Sequence, residues 1–475
     1  MAEMTKSAKA HAHLSHPVID SDGHWIEYVP ALTEYIKKEI GADGANRYWT
    51  AVGWYWGDPK LNTAQRREQR LPVMGWWPIP TKNTLDRATV MLPKLLHERM
   101  GDLGLDFGVL YPTAPTLTIG PYLEDEEVRR GGCRALNKYA ADLFRGYEDR
   151  LTPVGVIPNH TPKEAIEELE VAKTLGIKAV VFAGLISRPS PGANGARYWD
   201  ALALDSDYDY DPVWAKCEEL KIVPTFHTST LNFGYRTQRS NFVYNHVGHF
   251  AAGCEAMCKA MFLGGVTLRF PKLKFAFMEG GAGWACNLYN DLVRHWNIRN
   301  PQALQNFDPA NLDREYLVSL VSQHGNQLMK DLMKNQGWDR KGETAGVAPR
   351  LEDMDDFWRC KIGSGEDLRQ LFADNLYFGC ESEDPLNAMA FNTNANAFGA
   401  RLNILLGSDI GHFDVLEMTE VIEEAWELVE RGVLTEAQLK DFTFSNPARF
   451  WTHLDRDFFK GTAVEKQVNE VLAGS

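Results

Sequence analysis

Short apolar runs without alternation recur along the chain, each followed by a longer stretch whose apolar positions return every three to four residues. The short runs are Pro17–Asp22, Phe107–Tyr111, Leu151–Ile157, Ala179–Phe182, Ile222–His227, Leu273–Glu279, Asn375–Cys380 and Asn403–Asp409. A run that does not alternate suits a strand buried on both faces, as in a parallel sheet covered by helices. Between the runs the helical period is clear in places. In Lys163–Leu175, Ala165, Ile166, Leu169 and Ala172 share a face, Thr161 can cap the start ahead of Pro162, and Gly176 can end the helix. Asp211–Leu220 and Asp414–Glu430 read the same way, the second with Val421, Ile422, Ala425, Leu428 and Val429 on one face. Eight strands alternating with helices is the pattern of an α/β fold closed into a (β/α)8 barrel.

Two stretches are longer than ordinary connections. The first, about 30–93, follows strand one and carries Trp49, Trp54, Trp56, Trp76 and Trp77. It emerges at the end of the barrel where active sites sit, and reads either as a lid over a pocket or as an excursion packed on the barrel flank. The second, about 297–374, lies between strands six and seven and is polar and mostly helical, with Leu317–Leu332 its clearest piece. It reads as a lid, a dimerisation element or both. The expected organisation is a flexible tail over 1–16, one barrel domain over 17–460 containing both insertions, and a C-terminal tail over 461–475.

Composition narrows the function. With 44% apolar and 11% aromatic residues the chain is ordinary globular protein. The formal net charge of −14 opposes binding to nucleic acid or an anionic membrane, which leaves a small-molecule substrate. The opening MAEMTKSAKAHAHLSHP lacks the apolar run of a signal peptide, and no later stretch is apolar enough for a membrane span, so a cytoplasmic protein is expected. Seven cysteines without a CxxC pair suggest a reducing compartment; Cys254 and Cys258, one helical turn apart, suit core packing. The glycine-rich pieces at 184–195 and 280–283 match no phosphate-binding loop and no GxSxG occurs, so neither a nucleotide cofactor nor a serine nucleophile is expected.

Barrel enzymes carry their reacting groups where strands end. Strand one ends VIDSDGHWIE, giving Asp22 and His24, which project to the same side and can share a metal. Strand five ends at His227, strand six at Glu279 and strand eight at Asp409. Singly, each is explained as a cap or a hydrogen-bonded core residue; together, two imidazoles and three carboxylates converging in one pocket call for a cation. His412, three residues past Asp409, and His249 are further catalytic candidates. His160, Arg188, Trp25 and His246 are candidates for substrate contact, Arg188 because it suits a carboxylate. His11, His13 and His16 are assigned to the tail.

These segments resemble the amidohydrolase-related family that contains aminocarboxymuconate-semialdehyde decarboxylase, resorcylate-type decarboxylases and many hydrolases. The resemblance rests on the acid-x-His pair Asp22 and His24, on His227, on the GSDxxH motif holding Asp409 and His412, and on FLGGVTLRFPKLKFAFMEGGAGW before and through strand six. It implies a metal-dependent amidohydrolase-superfamily barrel with Asp22, His24, His227 and Asp409 as ligands, and a homodimer as the family expectation. One position departs: members with decarboxylase chemistry carry a histidine where this chain has Glu279. Glu279 could bind the metal, bridge to a second ion, act as a base, or only accept from the amides of 280–283. The leading expectation is hydrolysis of a carbonyl-type bond by water activated at the ion, with Asp409 moving the proton. The alternative is non-oxidative decarboxylation of an aromatic or unsaturated acid, and the third reading is a binding protein that has lost catalysis. Zinc suits mixed nitrogen and oxygen ligands, and manganese or iron fits as well; one ion per chain is expected, or two if Glu279 bridges.

Overall fold

Eight parallel strands among the described residues run in the order β1 (Ile19–Trp25), β2 (Phe107–Pro112), β3 (Leu151–Ile157), β4 (Ala179–Phe182), β7 (Val223–Phe226), β8 (Phe275–Phe277), β9 (Leu376–Glu381) and β10 (Asn403–Gly407). The computed structural model describes residues 4–56, 61–69, 82–113, 123–192, 195–230, 236–238, 240–308, 311–336 and 354–474. The first and last strands meet: His24 N–H donates to the Ile410 carbonyl at 2.8 Å and Asp409 N–H to the Asp22 carbonyl at 3.0 Å. The sheet is thereby a (β/α)8 barrel, as the apolar runs predict. The remaining pair, β5 (Ile186–Pro189) and β6 (Arg197–Asp200), is an antiparallel hairpin in the loop after β4.

Two layers of packing follow from strand alternation. Outward residues meet the helices: Trp214 packs edge-on against Phe182 and Phe275, and Trp25 against Tyr139 and Phe144. Inward residues are polar near the site. Tyr111 donates to Thr225 Oγ1 at 2.9 Å, and Thr225 donates to the Val180 carbonyl, so the Tyr111 ring that packs on His24 and His227 is held by a hydrogen-bonded chain.

The helix Pro162–Thr174 carries the expected cap, with Thr161 Oγ1 accepting from Glu164 N–H and Glu164 answering at Thr161 N–H; Asp211–Leu220 has the predicted bounds. Other expectations change. The helix expected over 414–430 begins at Val421, after a 3-10 turn over Met418–Glu420. Leu317–Leu332 is two helices, Arg314–His324 and Gln327–Gln336, broken at Gly325 and Asn326. The tails at both ends contain packed helix. Thr5 caps Lys6–His11, where Ser7 is buried and accepts from Ile422 N–H, His11 bonds Asp106 at 2.7 Å, and Glu465–Ala473 buries Val468. His16 is likewise buried, bonded to Thr443 Oγ1 at 3.0 Å, so these histidines hold the barrel's N-terminal face together.

The first insertion opens with Val29–Trp56, a long helical segment interrupted at Gly41, whose φ of 74° and ψ of 177° only glycine adopts readily. This segment lies against Glu126–Leu143 on the barrel flank; Trp49 packs on the core and donates to Thr33 Oγ1 at 3.1 Å. The side chains of Trp54 and Trp56, and all of Trp76 and Trp77, lie outside the described residues, as does the lid reading that rests on them. No described helix is long and apolar enough to cross a membrane, and all seven cysteines are buried and free.

Candidate metal centre

β1 delivers two donors to one point because Asp22 and His24 are two residues apart on the same face. A register slip between Asp20 and Gly23 bends the strand there. His227 follows β7 directly, Glu279 stands two residues past β8, and Asp409 two past β10. Both of these acids have left-handed backbone, with φ of 55° for Glu279 and 48° for Asp409, conformations that cost a non-glycine residue energy and tend to persist where surroundings impose them. Glycine makes the close approach of β10 to β1 feasible: a Cβ on Gly407 would lie 2.9 Å from Asp22 Cβ.

The resulting cluster is tight. His24 Nε2 lies 3.5 Å from Asp22 Oδ1, 3.5 Å from Asp409 Oδ1 and 3.9 Å from Glu279 Oε2. His227 Nε2 lies 2.9 Å from Glu279 Oε2 and 3.9 Å from Asp22 Oδ1, and His412 Nδ1 lies 2.5 Å from Asp409 Oδ1. Relative exposures are 1% for His24, 2% for Asp22 and Asp409, 4% for His412 and 5% for His227. Buried polar atoms are ordinarily paired, yet Asp22 Oδ1, His24 Nε2, His227 Nε2, Glu279 Oε2 and both Asp409 carboxylate oxygens have no hydrogen-bond partner. Orphaned nitrogen and oxygen donors facing one another at these separations could hold a divalent cation, and the residue types suit one.

Electrostatics point the same way. Burial first, then the charge of Asp20, holds the Asp22 carboxyl well above the usual carboxylate range. Burial raises Glu279 with help from Glu381 and Asp22, and raises Asp409 with help from Glu279. Burial likewise lowers the three imidazoles, His227 and His412 to about 3. Among the described residues, every ion pair of Asp22, Glu279 and Asp409 is with a histidine. A cation bound here would favour the ionised form of these carboxylates.

The remaining candidates divide. His249 is buried beside the cluster; its ring lies 3.9 Å from that of Phe250, which in turn meets His227 edge-on at 4.8 Å, and Ser229 Oγ lies 3.1 Å from His249 Nδ1. His246 stands next to it, 4.8 Å from the His249 ring and near Phe242 and Phe413. Trp25 is misassigned as a substrate contact: the residue after an inward histidine faces outward, and it is 1% exposed under Tyr139 and Phe144. Arg188 is also spent elsewhere. It pairs with buried Asp200 at 2.5 Å and donates to the His160 carbonyl and the Tyr210 hydroxyl, which secures the β5–β6 hairpin and leaves no free charge for a substrate carboxylate. His160 belongs to that neighbourhood, its pKa lowered to about 3 by burial and then by Arg129 and Arg188, with no described contact to the cluster.

Sequence reasoning missed Asp20. Fully buried below Asp22, it accepts from Ser408 N–H at 3.0 Å, Ser408 Oγ at 2.5 Å and Asp22 N–H at 3.2 Å, clamping the strand ends that carry Asp22 and Asp409. The i, i+2 spacing from Asp20 through Asp22 to His24 was the available signal. Glu381, ending β9, and Phe250 were missed as well, since neither stands in a motif.

The chain is similar to known proteins in sequence family and in fold. The family described as Amidohydrolase matches residues 96–326. An amidohydrolase structure from Mycobacterium avium subsp. paratuberculosis K-10 superimposes with a TM-score of 0.53 at 16% identity, covering 92% of this chain and 100% of that one. A 5-carboxyvanillate decarboxylase from Novosphingobium aromaticivorans DSM 12444, with bound manganese, gives 0.49 at 12% identity, covering 94% and 99%. A 2,6-dihydroxybenzoate decarboxylase from Rhizobium gives 0.45 at 14% identity, covering 92% and 98%.

Proposed function

We propose that this chain, whose residues 96–326 match the family described as Amidohydrolase, is a divalent-metal-dependent enzyme that removes the carboxyl group of a flat, aromatic or unsaturated acid without oxidation. Asp22, His24 and His227, with Glu279 or Asp409, would hold the ion. When bound, the ion supplies Lewis acidity toward the substrate's carboxyl oxygens and offsets the buried carboxylates. Manganese or zinc suits this donor set.

The observation that carries the reading is the wall beside these donors. Phe250 lies against His227, and His249, His246, Phe242 and Phe413 continue the ring surface outward. Such a wall accepts a planar ring by stacking. It also favours loss of a carboxylate, because that group's charge disperses as carbon dioxide forms and an apolar environment penalises the starting ion more than the transition state. In the step itself, the bond from ring or alkene carbon to the carboxyl breaks, carbon dioxide leaves, and the Asp409 carboxyl gives its proton to that carbon. The neutral imidazole of His412, its Nδ1 2.5 Å from Asp409 Oδ1, is placed to orient that carboxyl and to relay a proton to it from solvent.

Hydrolysis of a carbonyl-type bond remains the second reading, supported by Glu279, a carboxylate able to take a proton from water. The two are separated by loading the protein with manganese or zinc and supplying a panel of carboxyl-labelled aromatic and enoic acids in ¹⁸O-water. Labelled carbon dioxide with no ¹⁸O in the organic product supports decarboxylation. Incorporation of ¹⁸O into the organic product from ester or amide analogues, without carbon dioxide, overturns it in favour of hydrolysis.

A further inference from the structure

A cleft of about 580 Å³ lies on the flank of the barrel, and none of the metal donors lines it. Trp214, fully buried, forms its inner wall; that ring packs outside the barrel on Phe182 and Phe275, so the sheet separates the cleft from the strand-end cluster. The other walls are 202–211, which follows the β5–β6 hairpin, 264–269, and 358–361. Backbone contacts too close for a side chain lock these segments together. A Cβ on Gly264 would lie 2.3 Å from the Ala203 carbonyl oxygen, and one on Gly265 2.3 Å from that of Arg359. Cys360 Sγ also donates to the Phe262 carbonyl at 3.0 Å. The cleft is therefore preformed, and its volume falls within the range of about 300–1,000 Å³ usual for small-molecule sites.

Backbone strain gathers at its edges. Of the seven non-glycine residues with left-handed backbone among the described ones, Glu279 and Asp409 belong to the candidate metal centre, whereas Leu202, Asp205 and Lys361, with φ of 64°, 56° and 51°, line this cleft. Such conformations cost energy and tend to cluster at binding and catalytic sites. The side chains define what fits. Trp358 is 62% exposed, braced on one face by the Arg359 guanidinium 5.0 Å from its ring centroid. Most of the charges are already answered: Arg269 grips Asp211 with bonds of 2.6 and 2.8 Å, Arg359 pairs with Asp205 at 3.2 Å, and Asp209 accepts from Asp211 N–H at 3.0 Å. Lys361 is left, with no hydrogen bond or ion pair among the described residues. The Trp214 indole N–H is buried and meets no acceptor, although buried donors are ordinarily paired. Both unmatched groups donate, so they call for an acceptor, and beside Lys361 for an anionic one.

We infer that this cleft binds a small planar aromatic acid, its ring against Trp358 and its carboxylate on Lys361. An indole left largely in water gains from a flat partner, and the ammonium supplies a charge-assisted bond. The site stands apart from the proposed reaction and does not depend on it.

The probe is 2-naphthoate, titrated by calorimetry into the full-length, chelator-treated protein beside Lys361→Met, Trp358→Ala and His227→Ala. One saturable site per chain is expected in the parent. Lys361→Met keeps the stem and removes the charge, and should weaken binding about tenfold. Trp358→Ala should weaken it several-fold, and His227→Ala should leave it unchanged. Both cleft residues are exposed, so neither substitution threatens the fold. The neutral analogue 2-naphthalenemethanol should bind the parent about as weakly as 2-naphthoate binds Lys361→Met. Affinity equal in the parent, Lys361→Met and Trp358→Ala, or no saturable binding to the parent, overturns the inference. Binding kept in Lys361→Met but lost in His227→Ala also overturns it, by placing the acid at the strand-end cluster instead.

Discussion

Replacing Asp20 by asparagine separates what this residue costs the fold from what it does for the site. Burial, opposed by the Ser408 hydroxyl and amide and the Asp22 amide, lifts its carboxyl to about 6. In the unfolded chain the value is near 3.9. The folded value is the higher one, so the native state is relatively favoured below pH 4 and loses that advantage as pH rises through 6. At pH 7.5 ionised Asp20 costs the fold about 3 kcal/mol, at about 1.4 kcal/mol for each unit. Asparagine carries no such cost. It keeps an oxygen for the N–H groups of Ser408 and Asp22, but gives up the charge-assisted bond from Ser408 Oγ, a loss of roughly 1–2 kcal/mol. The chelator-treated variant should therefore match the parent at pH 7.5 or exceed it by about 1–2 kcal/mol. That difference should shrink by about 1.4 kcal/mol at pH 5, where the parent's Asp20 is mostly protonated. Metal affinity should move the other way, falling about 10–100-fold, because the clamp on Ser408 that sets Asp409 is loosened. Denaturant titrations at the two pH values, with competition against a fluorescent chelator, read both quantities. A variant less stable by over about 2 kcal/mol at both pH values, with unchanged metal affinity, would refute the reasoning and make Asp20 only a strut.

Three further outcomes are expected. Gly407→Ala puts a methyl 2.9 Å from Asp22 Cβ and should cost about 1–3 kcal/mol by overpacking, with weaker metal binding measured by the same competition. Arg99→Met leaves Asp86 buried without its 2.8 Å ion pair and should cost about 3–5 kcal/mol in denaturant, part of it regained when Asp86→Asn is added. His453 is held neutral by burial, its pKa lowered to about 4, where its Nε2 accepts from Lys274 N–H at 3.1 Å. The unfolded chain takes up that proton near pH 6.5, so stability present above 6.5 should decline as pH falls toward 4, and His453→Asn should flatten that part of the denaturant-midpoint profile.

The barrel was legible because each strand is an unalternating apolar run between turn signals, and because the chemistry stands where those runs stop. Asp22, His24, His227, Glu279 and Asp409 converge for that reason. Residues whose role depends on which side of a strand faces inward were less legible: Trp25 was assigned to the site beside His24, although alternation sends it outward against Tyr139. Arg188 could not be read from sequence, since its partner Asp200 becomes its neighbour only through the β5–β6 hairpin. The first sixteen residues are polar and short of apolar pattern, yet a Thr5 cap, a buried Ser7 and the His11–Asp106 bond fix a helix there, contacts between residues nearly a hundred or several hundred positions apart.

The central claim is that the carboxylates and imidazoles at the strand ends form a divalent-cation centre. Crystals soaked in manganese, with diffraction recorded where manganese scatters anomalously, test it most directly. The account predicts an anomalous peak about 2.0–2.3 Å from His24 Nε2, His227 Nε2 and Asp22 Oδ1, abolished in His227→Ala crystals. Fully soaked crystals with no peak at these atoms, or with manganese bound only at surface acids, would contradict it.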